Sequence, residues 1–146
     1  MRISTRGHYG LRMMVEMANH QGEGLVKMST IAKTFGTPPK YLHNLLGLLK
    51  AGGLVRAQAG KTGGYALTRD PSQIRVAEIV NLLEGHPTPV GCVRDGTLCP
   101  RSEYCAARTV WCEISEAVEK VLNGSTLADL VVRENGRKDP ALPCNV

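Results

Sequence analysis

The segment STIAKTFGTPPKYLHNLLGLLK, residues 29–50, contains two short helical patterns separated by a glycine and two prolines. Ser29 is placed to cap a first helix over residues 30–35. Gly36 is placed to end it, because glycine readily takes the left-handed backbone of a helix terminus. Pro38 then opens a second helix, where its missing N–H is not needed. Two helices joined by so short a turn predict a helix-turn-helix.

The second of these helices has two different faces. Its leucines repeat at helical spacing and predict a buried stripe of Leu42, Leu45, Leu46 and Leu49. The outward face has no large apolar side chain and consists of Pro39, Lys40, His43, Asn44 and Gly47. Polar side chains of this kind read base edges in the major groove, which favours a recognition helix. A plain solvent-exposed face is the alternative.

Two short β-like runs follow at residues 54–58 and 65–67, around a glycine-rich loop at residues 60–64. They predict a hairpin with a flexible basic tip. After a helix-turn-helix such a hairpin is a wing, from which Arg56 and Lys61 can reach phosphate or the minor groove. A nucleotide-binding loop is disfavoured, because the spacing differs and a strand follows where such sites need a helix.

Charge is uneven along the chain, which carries a formal net charge of +5. Residues 1–75 hold 11 Lys and Arg against 3 acidic residues, whereas residues 76–146 hold 7 against 10. A basic half predicts a polyanionic partner, because neutralised phosphates release counterions; a solvated basic face is the alternative. The expected partner is double-stranded DNA, contacted by Arg2, Ser29, Thr30, Pro39, Lys40, Tyr41, His43, Asn44, Lys50, Arg56 and Lys61.

Several classes of protein are disfavoured by what the sequence lacks. No run of 18 apolar residues is present, and the charged start at residues 1–6 is unlike a signal peptide. We therefore expect a cytoplasmic protein with no membrane partner. No Ser/His/Asp or Cys/His constellation, carboxylate pair or nucleotide loop is evident, so neither an enzyme nor a small-molecule substrate is expected.

Further helical patterns flank this region. Ser4 and Thr5 are cap candidates for a first helix ending near His20, with an apolar face of Leu11, Met14, Val15 and Ala18. A short helix is predicted over residues 77–84 and a longer one over residues 107–122. The long helix has an apolar stripe of Val110, Ile114, Ala117, Val118 and Val121. A twin helix from a second subunit would cover this stripe, so a homodimer is expected.

The sequence thus predicts a mainly α-helical fold with a small β-hairpin wing: a winged helix-turn-helix domain followed by a long C-terminal dimerisation helix. The DNA-binding domain is placed at residues 1–85 and a cysteine loop at residues 86–106. The dimerisation helix and a short terminal helix, opened by the capping-box spacing of Thr126 and Asp129, occupy residues 107–132. Residues 133–146 are expected to form a flexible tail that holds Cys144.

The cysteines are concentrated in the expected loop, where Cys92, Cys99 and Cys105 lie close in sequence. Five cysteines in total form an odd number at irregular spacing, which disfavours a disulfide framework and favours metal or redox chemistry. The absence of a C-x-x-C pair weakens the case for zinc. Iron–sulfur clusters accept thiolates spread along an irregular loop. From spacing alone, free or redox-active thiols remain the alternative.

Two residues are candidates for a fourth ligand. Cys112 follows in sequence, but if residues 105–112 are helical they span ~10.5 Å, further than one small cluster readily bridges. His8 lies on the first helix, where a lone histidine is more often a surface or phosphate-contacting residue. The residues alone leave this choice open.

Taken together, the residues resemble the IscR and NsrR family of winged helix-turn-helix regulators over about nine tenths of the chain. The shared motifs are MRISTRG at residues 1–7 with Tyr9 and Leu11, KYL at residues 40–42, AGGLV at residues 51–55, GGY at residues 63–65, VAEIV at residues 76–80, the three-cysteine loop, and TLADL at residues 126–130. The resemblance implies homodimeric transcription regulators. In the cluster-binding branch it implies that Cys92, Cys99 and Cys105 hold a 2Fe-2S or 4Fe-4S cluster.

The sequence departs from this family at several positions. Regulators similar to IscR have a histidine where this chain has Arg108, which cannot ligate iron. Members similar to NsrR use an acidic residue of the partner subunit's first helix, and the matching position here is His8, which the resemblance makes the preferred fourth ligand in trans. A wing arginine of many relatives is Ala59 here, and a recognition-helix glutamate is His43. Operator preference therefore does not transfer.

The sequence as a whole indicates a homodimeric transcription factor whose operator binding depends on an iron–sulfur cluster, sensing cluster status, redox state or nitric oxide. One alternative is a cluster-free regulator of the same family that responds to thiol oxidation or to a partner enzyme. An alternative from another class is a small iron–sulfur electron carrier, which would leave the basic half without a purpose.

Overall fold

The computed structural model describes residues 3–86 and 88–136. Its helices and strands are α1 (Thr5–Asn19), α2 (Met28–Phe35), α3 (Pro39–Ala51), β1 (Val55–Gln58), β2 (Gly64–Leu67), α4 (Val76–Glu84), α5 (Gly91–Arg94), α6 (Ala106–Asn123) and α7 (Leu127–Gly136). Short 3₁₀ turns occupy Pro71–Gln73, Gly96–Leu98 and Ser102–Tyr104. The fold is mainly helical with one antiparallel hairpin, as the sequence predicts.

Helices α2 and α3 form the helix-turn-helix. Gly36 ends α2 in the left-handed conformation with φ of 57°, which confirms the predicted stop, and α3 follows after Pro38. The cap of α2 differs from the prediction. The helix begins at Met28 with Lys27 as its cap. Ser29 therefore lies inside the first turn and not at the cap position, which precedes the first helical residue.

The wing is joined to the rest of the domain on one edge. Strands β1 and β2 pair with Val55 opposite Leu67 and Gln58 opposite Gly64, close to the predicted hairpin. On the other edge of β2, Tyr65 forms an antiparallel bridge with Val26, which precedes α2. The strand therefore connects the wing to the helix-turn-helix.

Helix α1 lies at the centre of the domain and contacts α3, α4, α7 and β2. The sequence pattern assigned Leu11 and Val15 to its buried face, but both are only half-buried. Met13 and Met17 are instead 0% and 2% exposed. A one-sided stripe describes a surface helix, whereas this helix is covered on several sides.

The N-terminus of α1 is closed by a residue from the far end of α4. The Ser4 hydroxyl and the backbone N–H groups of Ser4 and Gly7 all donate to the carboxylate of Glu84, the backbone bonds being 3.1 and 2.8 Å long. Gly7 permits this approach, because a Cβ there would lie 2.6 Å from a Glu84 oxygen. These donors, of which the Ser4 hydroxyl has the largest effect, lower the pKa of Glu84, and the charge of Arg6 adds to them.

The chain ends its described part in α7, which packs on α1. Thr126 and Asp129 form the predicted reciprocal cap, with bonds of 2.8 and 3.2 Å between backbone N–H groups and side chains. Leu127 is fully buried in the core. The helix continues to Gly136, so the first part of the segment expected to be a tail from residue 133 is helical. Cys144 lies outside the described residues.

Among the helices in residues 3–86 and 88–136, none has the length and apolar character needed to cross a membrane.

Replacing Glu84 with Gln is expected to destabilise the domain by about 1 kcal/mol at pH 7, because charge-assisted hydrogen bonds to the start of α1 become neutral ones. A carboxylate with a lowered pKa stabilises the fold above its ordinary value of 4.5 and loses that contribution as the pH falls. Urea unfolding at pH 7 and at pH values below 4.5 should show the difference between wild type and Glu84→Gln shrinking in acid.

The exposed Glu103 provides the control for this comparison. Glu103→Gln should leave stability at pH 7 within experimental error of the wild type. A Glu84→Gln difference that stays constant over the whole pH range would contradict the assigned role of the carboxylate.

Candidate DNA interface and cysteine loop

Helix α3 presents a leucine face to the core and a polar face to solvent. The predicted stripe is confirmed, since Leu42, Leu45, Leu46 and Leu49 are each at most 2% exposed. Pro39, Lys40, His43, Asn44 and Gly47 are exposed. Leu48 is 42% exposed, although no large apolar side chain was expected on this face. It lies one turn after Asn44 and adds a group that can contact a thymine methyl.

The start of α3 is electropositive. The helix begins after Pro38 without an acidic side chain in its first turn. The positive end of the helix dipole and the exposed ammonium of Lys40 therefore act in the same direction. Such a helix terminus favours a phosphate or another anion.

The other predicted contact residues are placed as follows. Arg56 on β1 and Lys61 at the tip of the wing are exposed, as are Lys50 in the last turn of α3 and Ser29 and Thr30 in α2. Tyr41 is half-buried, and its ring packs edge-on against Tyr9 with ring centroids 6.1 Å apart. It therefore contributes to an aromatic cluster in the domain. Arg2 lies outside the described residues.

A contact between the wing and α3 was missed from the sequence. The Tyr65 hydroxyl lies 3.1 Å from Nδ1 of His43. Tyr65 belongs to the glycine-glycine-tyrosine motif, but no spacing rule relates a strand residue to a helix residue 22 positions earlier. This hydrogen bond links the strand of the wing to the polar face of α3.

The cysteine loop is more regular than expected and contains α5 and two 3₁₀ turns. Cys92 lies in α5, and Cys105 is the N-terminal cap of α6. The Ser102 hydroxyl donates to the carbonyl of Cys99, 2.7 Å away. Arg108, from the first turns of α6, donates through Nε to the carbonyl of Cys92 at 2.9 Å. The backbone carbonyls of two of the three cysteines thus accept hydrogen bonds from polar side chains.

The thiols themselves do not meet at one point. Cys92, Cys99, Cys105 and Cys112 are all free and half-buried. Cys99 and Arg108 line an open cavity of about 570 Å³, and Arg108 also lines a second one of about 430 Å³ with Cys105 and Cys112. Within the described residues, no three His, Cys, Asp or Glu side chains are positioned to hold a metal ion.

The two candidate fourth ligands differ in placement. His8 is exposed in the first turns of α1, where its ring packs edge-on against Tyr9. Cys112 lies on α6, which is continuous from Ala106. The helical assumption behind the ~10.5 Å separation from Cys105 is therefore met.

Helix α6 carries the expected apolar stripe on its surface. Val110, Ile114 and Val121 are 51%, 37% and 71% exposed, and Trp111, which the pattern omitted, is 38% exposed. Side chains of this size are seldom left in solvent as a row. Ser115 is the buried residue of this helix, which packs against α4 and α5.

Known proteins match this chain in sequence and in fold. The family model described as "Rrf2: Iron-dependent Transcriptional regulator" matches residues 3–133. The chain belongs to the Rrf2 family. Protein rrf2 of Nitratidesulfovibrio vulgaris is 36% identical over 146 residues, which cover 100% of this chain and 96% of that protein. The HTH-type transcriptional regulator CymR of Bacillus subtilis is 37% identical over 139 residues, with coverages of 95% and 96%.

Solved Rrf2-family structures have the same architecture. The structure of CymR, described as the global cysteine regulator of B. subtilis, has a TM-score of 0.78 at 37% identity and covers 91% of this chain and 98% of its own. The structure of T. potens IscR has a TM-score of 0.78 at 32% identity, with coverages of 97% and 94%. The resemblance inferred from the motifs is thus confirmed. Rrf2 proteins are DNA-binding transcriptional regulators, and the expectation that the chain is not an enzyme is confirmed with it.

Lys40→Ala and Lys61→Ala are each expected to weaken binding to all DNA sequences alike, since both ammonium groups are assigned to phosphates. Each loss should reduce the slope of log affinity against log salt by about 1. Fluorescence anisotropy with specific and random duplexes at several salt concentrations measures both effects. Lys120→Ala, on α6, is the matched control; a sequence-selective effect of Lys40→Ala would contradict the phosphate assignment.

Proposed function

We propose that this Rrf2-family protein is a homodimeric regulator whose binding to an operator is controlled by an iron–sulfur cluster held by Cys92, Cys99 and Cys105. The observation that carries the proposal is the position of the three thiols. They are free and half-buried in the segment that connects α4 with α6. Helix α4 packs against α1, the central helix of the DNA-binding domain. Helix α6 carries the exposed apolar stripe.

The donor set fits such a cluster chemically. Thiolate is the usual ligand of iron–sulfur clusters, of the 2Fe-2S as of the 4Fe-4S type. Cys105 caps α6, and its side chain accepts no hydrogen bond from the first turn of that helix. The N-terminal N–H groups and the guanidinium of Arg108 would stabilise negative charge on bound sulfur. The thiols are not convergent in this structure, so ligation requires the loop around Gly91 and Gly96 to rearrange.

The fourth ligand remains a proposal, and His8 of the partner subunit is our choice. Arg108 has no lone pair to donate, and the continuous helix separates Cys112 from Cys105. His8 is exposed, and imidazole is an established ligand of iron in Rieske-type centres. Its neighbour Gly7 contacts Glu84, so the histidine lies next to the junction of α1 and α4.

Control of DNA binding follows from the connections of the loop. When bound, the cluster supplies a redox-sensitive and labile link between thiolates. Ligated cysteines would fix the start of α6 relative to the end of α4, and Glu84 relates the end of α4 to α1. Because two half-sites lie ~34 Å apart on DNA, a small change between subunits misplaces one recognition helix. Loss of ligation would thereby lower operator affinity.

A cluster-free regulator is the second candidate. It is favoured by the lack of convergence of the described thiols and by the 37% identity to CymR, which is described as a global cysteine regulator. Reversible oxidation of Cys99 or Cys105 would then be the signal, or a partner enzyme would bind. An electron carrier is disfavoured, because relatives of this chain are transcriptional regulators.

Anaerobically purified protein is expected to be coloured and to contain iron and acid-labile sulfide in stoichiometric amounts, because the three thiolates hold a cluster. Cys92→Ala, Cys99→Ala and Cys105→Ala should each abolish the visible absorption, whereas Cys144→Ala should retain it. Absorption spectra with iron and sulfide assays provide the measurement. Colourless protein with operator binding that responds to oxidants would favour the cluster-free regulator, and bound zinc would overturn both candidates.

His8→Ala is expected to retain the dimer but to hold the cluster less tightly and with an altered spectrum, since one ligand is exchanged. Size-exclusion chromatography and the rate of cluster loss to a chelator measure these properties. Cys112→Ala is the matched variant and should behave as the wild type. A native spectrum and lifetime in His8→Ala, with loss of both in Cys112→Ala, would transfer the fourth ligand to Cys112.

A further inference from the structure

Tyr65 is held in place by backbone contacts on both edges of β2. Its N–H and carbonyl bond to the carbonyl and N–H of Val26 at 2.9 and 2.8 Å, and on the other edge it lies opposite Ala57. Gly64 allows this close approach, since a Cβ there would lie 2.7 Å from the carbonyl oxygen of Val26. These contacts fix the backbone of Tyr65 between Val26 and β1.

The hydroxyl of this fixed ring reaches the polar face of α3. It lies 3.1 Å from Nδ1 of His43, a normal hydrogen-bond distance. His43 is exposed and lies between Lys40 and Asn44 on that face. One nitrogen of the imidazole is thus engaged inside the domain, and Nε2 is the nitrogen left to meet a ligand of α3.

The direction of this hydrogen bond determines whether Nε2 donates or accepts a hydrogen bond. A neutral imidazole has one donor and one acceptor nitrogen, and a bond at the first fixes the role of the second. A phenol donates a hydrogen bond more strongly than it accepts one, whereas an unprotonated imidazole nitrogen is a good acceptor. The favoured arrangement is therefore O–H of Tyr65 to Nδ1 of His43, with the proton of the imidazole on Nε2.

We propose that Tyr65 is a specificity-determining positioning residue: its hydroxyl orients His43 and keeps Nε2 a hydrogen-bond donor toward the bases. The inference rests on the proposed function, in which α3 contacts the bases of an operator. In the major groove, acceptors are presented by guanine N7 and O6, adenine N7 and thymine O4, whereas the cytosine N4 amino group is a donor. His43 should accordingly require an acceptor at one base position of each half-site and reject cytosine there.

Selection of binding sites from random duplexes tests this prediction. Tyr65→Phe keeps the ring and its packing but removes the hydroxyl, so His43 can adopt either tautomer. The preference for an acceptor over cytosine at one position should fall by roughly 5- to 10-fold, while affinity for random DNA and its salt dependence stay unchanged. His43→Ala should lose the same preference, and the double variant should lose no more than His43→Ala alone.

Tyr9→Phe is the matched control, because Tyr9 is packed in the aromatic cluster with Phe35 and Tyr41. It should select the same sites as the wild type. A merely structural role of Tyr65 would loosen the wing and weaken binding to all DNA, with no change at a single position. That pattern, or unchanged selection by Tyr65→Phe, would overturn the inference alone. A wild type that selects no sequence would overturn the proposed reading by α3 as well.

The protonation of His43 gives a second readout that does not need DNA. Nitrogen-15 spectra of the imidazole should show the proton on Nε2 in the wild type and a mixture of tautomers in Tyr65→Phe. A proton on Nδ1 in the wild type would contradict the direction of the hydrogen bond and overturn the proposal.

Discussion

The carboxylate of Glu84 at the N-terminus of α1 is the polar contact that ties the end of α4 to the start of the central helix. It accepts hydrogen bonds from Ser4 and Gly7 across about 80 residues of sequence. Helix α1 contacts α3, α4, α7 and β2, so its position relates the recognition helix, the wing and the end of the chain to one another. A charged acceptor at a helix N-terminus satisfies donors that would otherwise be unpaired.

The same contact gives the cysteine loop a route to the DNA-binding face. The loop starts just after Glu84 and ends at Cys105, the cap of α6. In the proposed control, a change in the loop would act at the junction with α1 on one side and at the exposed stripe of α6 on the other. Arg108 adds a third connection, because it holds the backbone of Cys92 from α6.

Local patterns predicted most of the fold. The leucine spacing gave α3, Gly36 gave the end of α2, and the reciprocal cap of Thr126 and Asp129 gave the start of α7. The pattern failed where burial is not one-sided, as for α1. It also missed the hydrogen bonds of Glu84 with the start of α1 and of Tyr65 with His43, because partners far apart in sequence leave no periodic signal.

The candidate site was less predictable than the fold for a physical reason. Cysteine spacing identifies possible ligands, but the positions of the sulfur atoms depend on the loop backbone, which forms α5 and two 3₁₀ turns here. The assignment of a cluster came from the family resemblance, and spacing alone left free thiols open. The role of Arg108 in binding the Cys92 carbonyl became visible only in three dimensions.

The most direct measurement is operator affinity as a function of the separation between two half-sites, varied one base pair at a time. It should be made on anaerobic cluster-loaded protein and on the same protein after removal of the cluster. We expect a sharp optimum for the loaded form and a shifted or flattened profile for the other, with equal affinity of both forms for a single half-site. Identical spacing profiles for the two forms would contradict control through the relative position of the recognition helices.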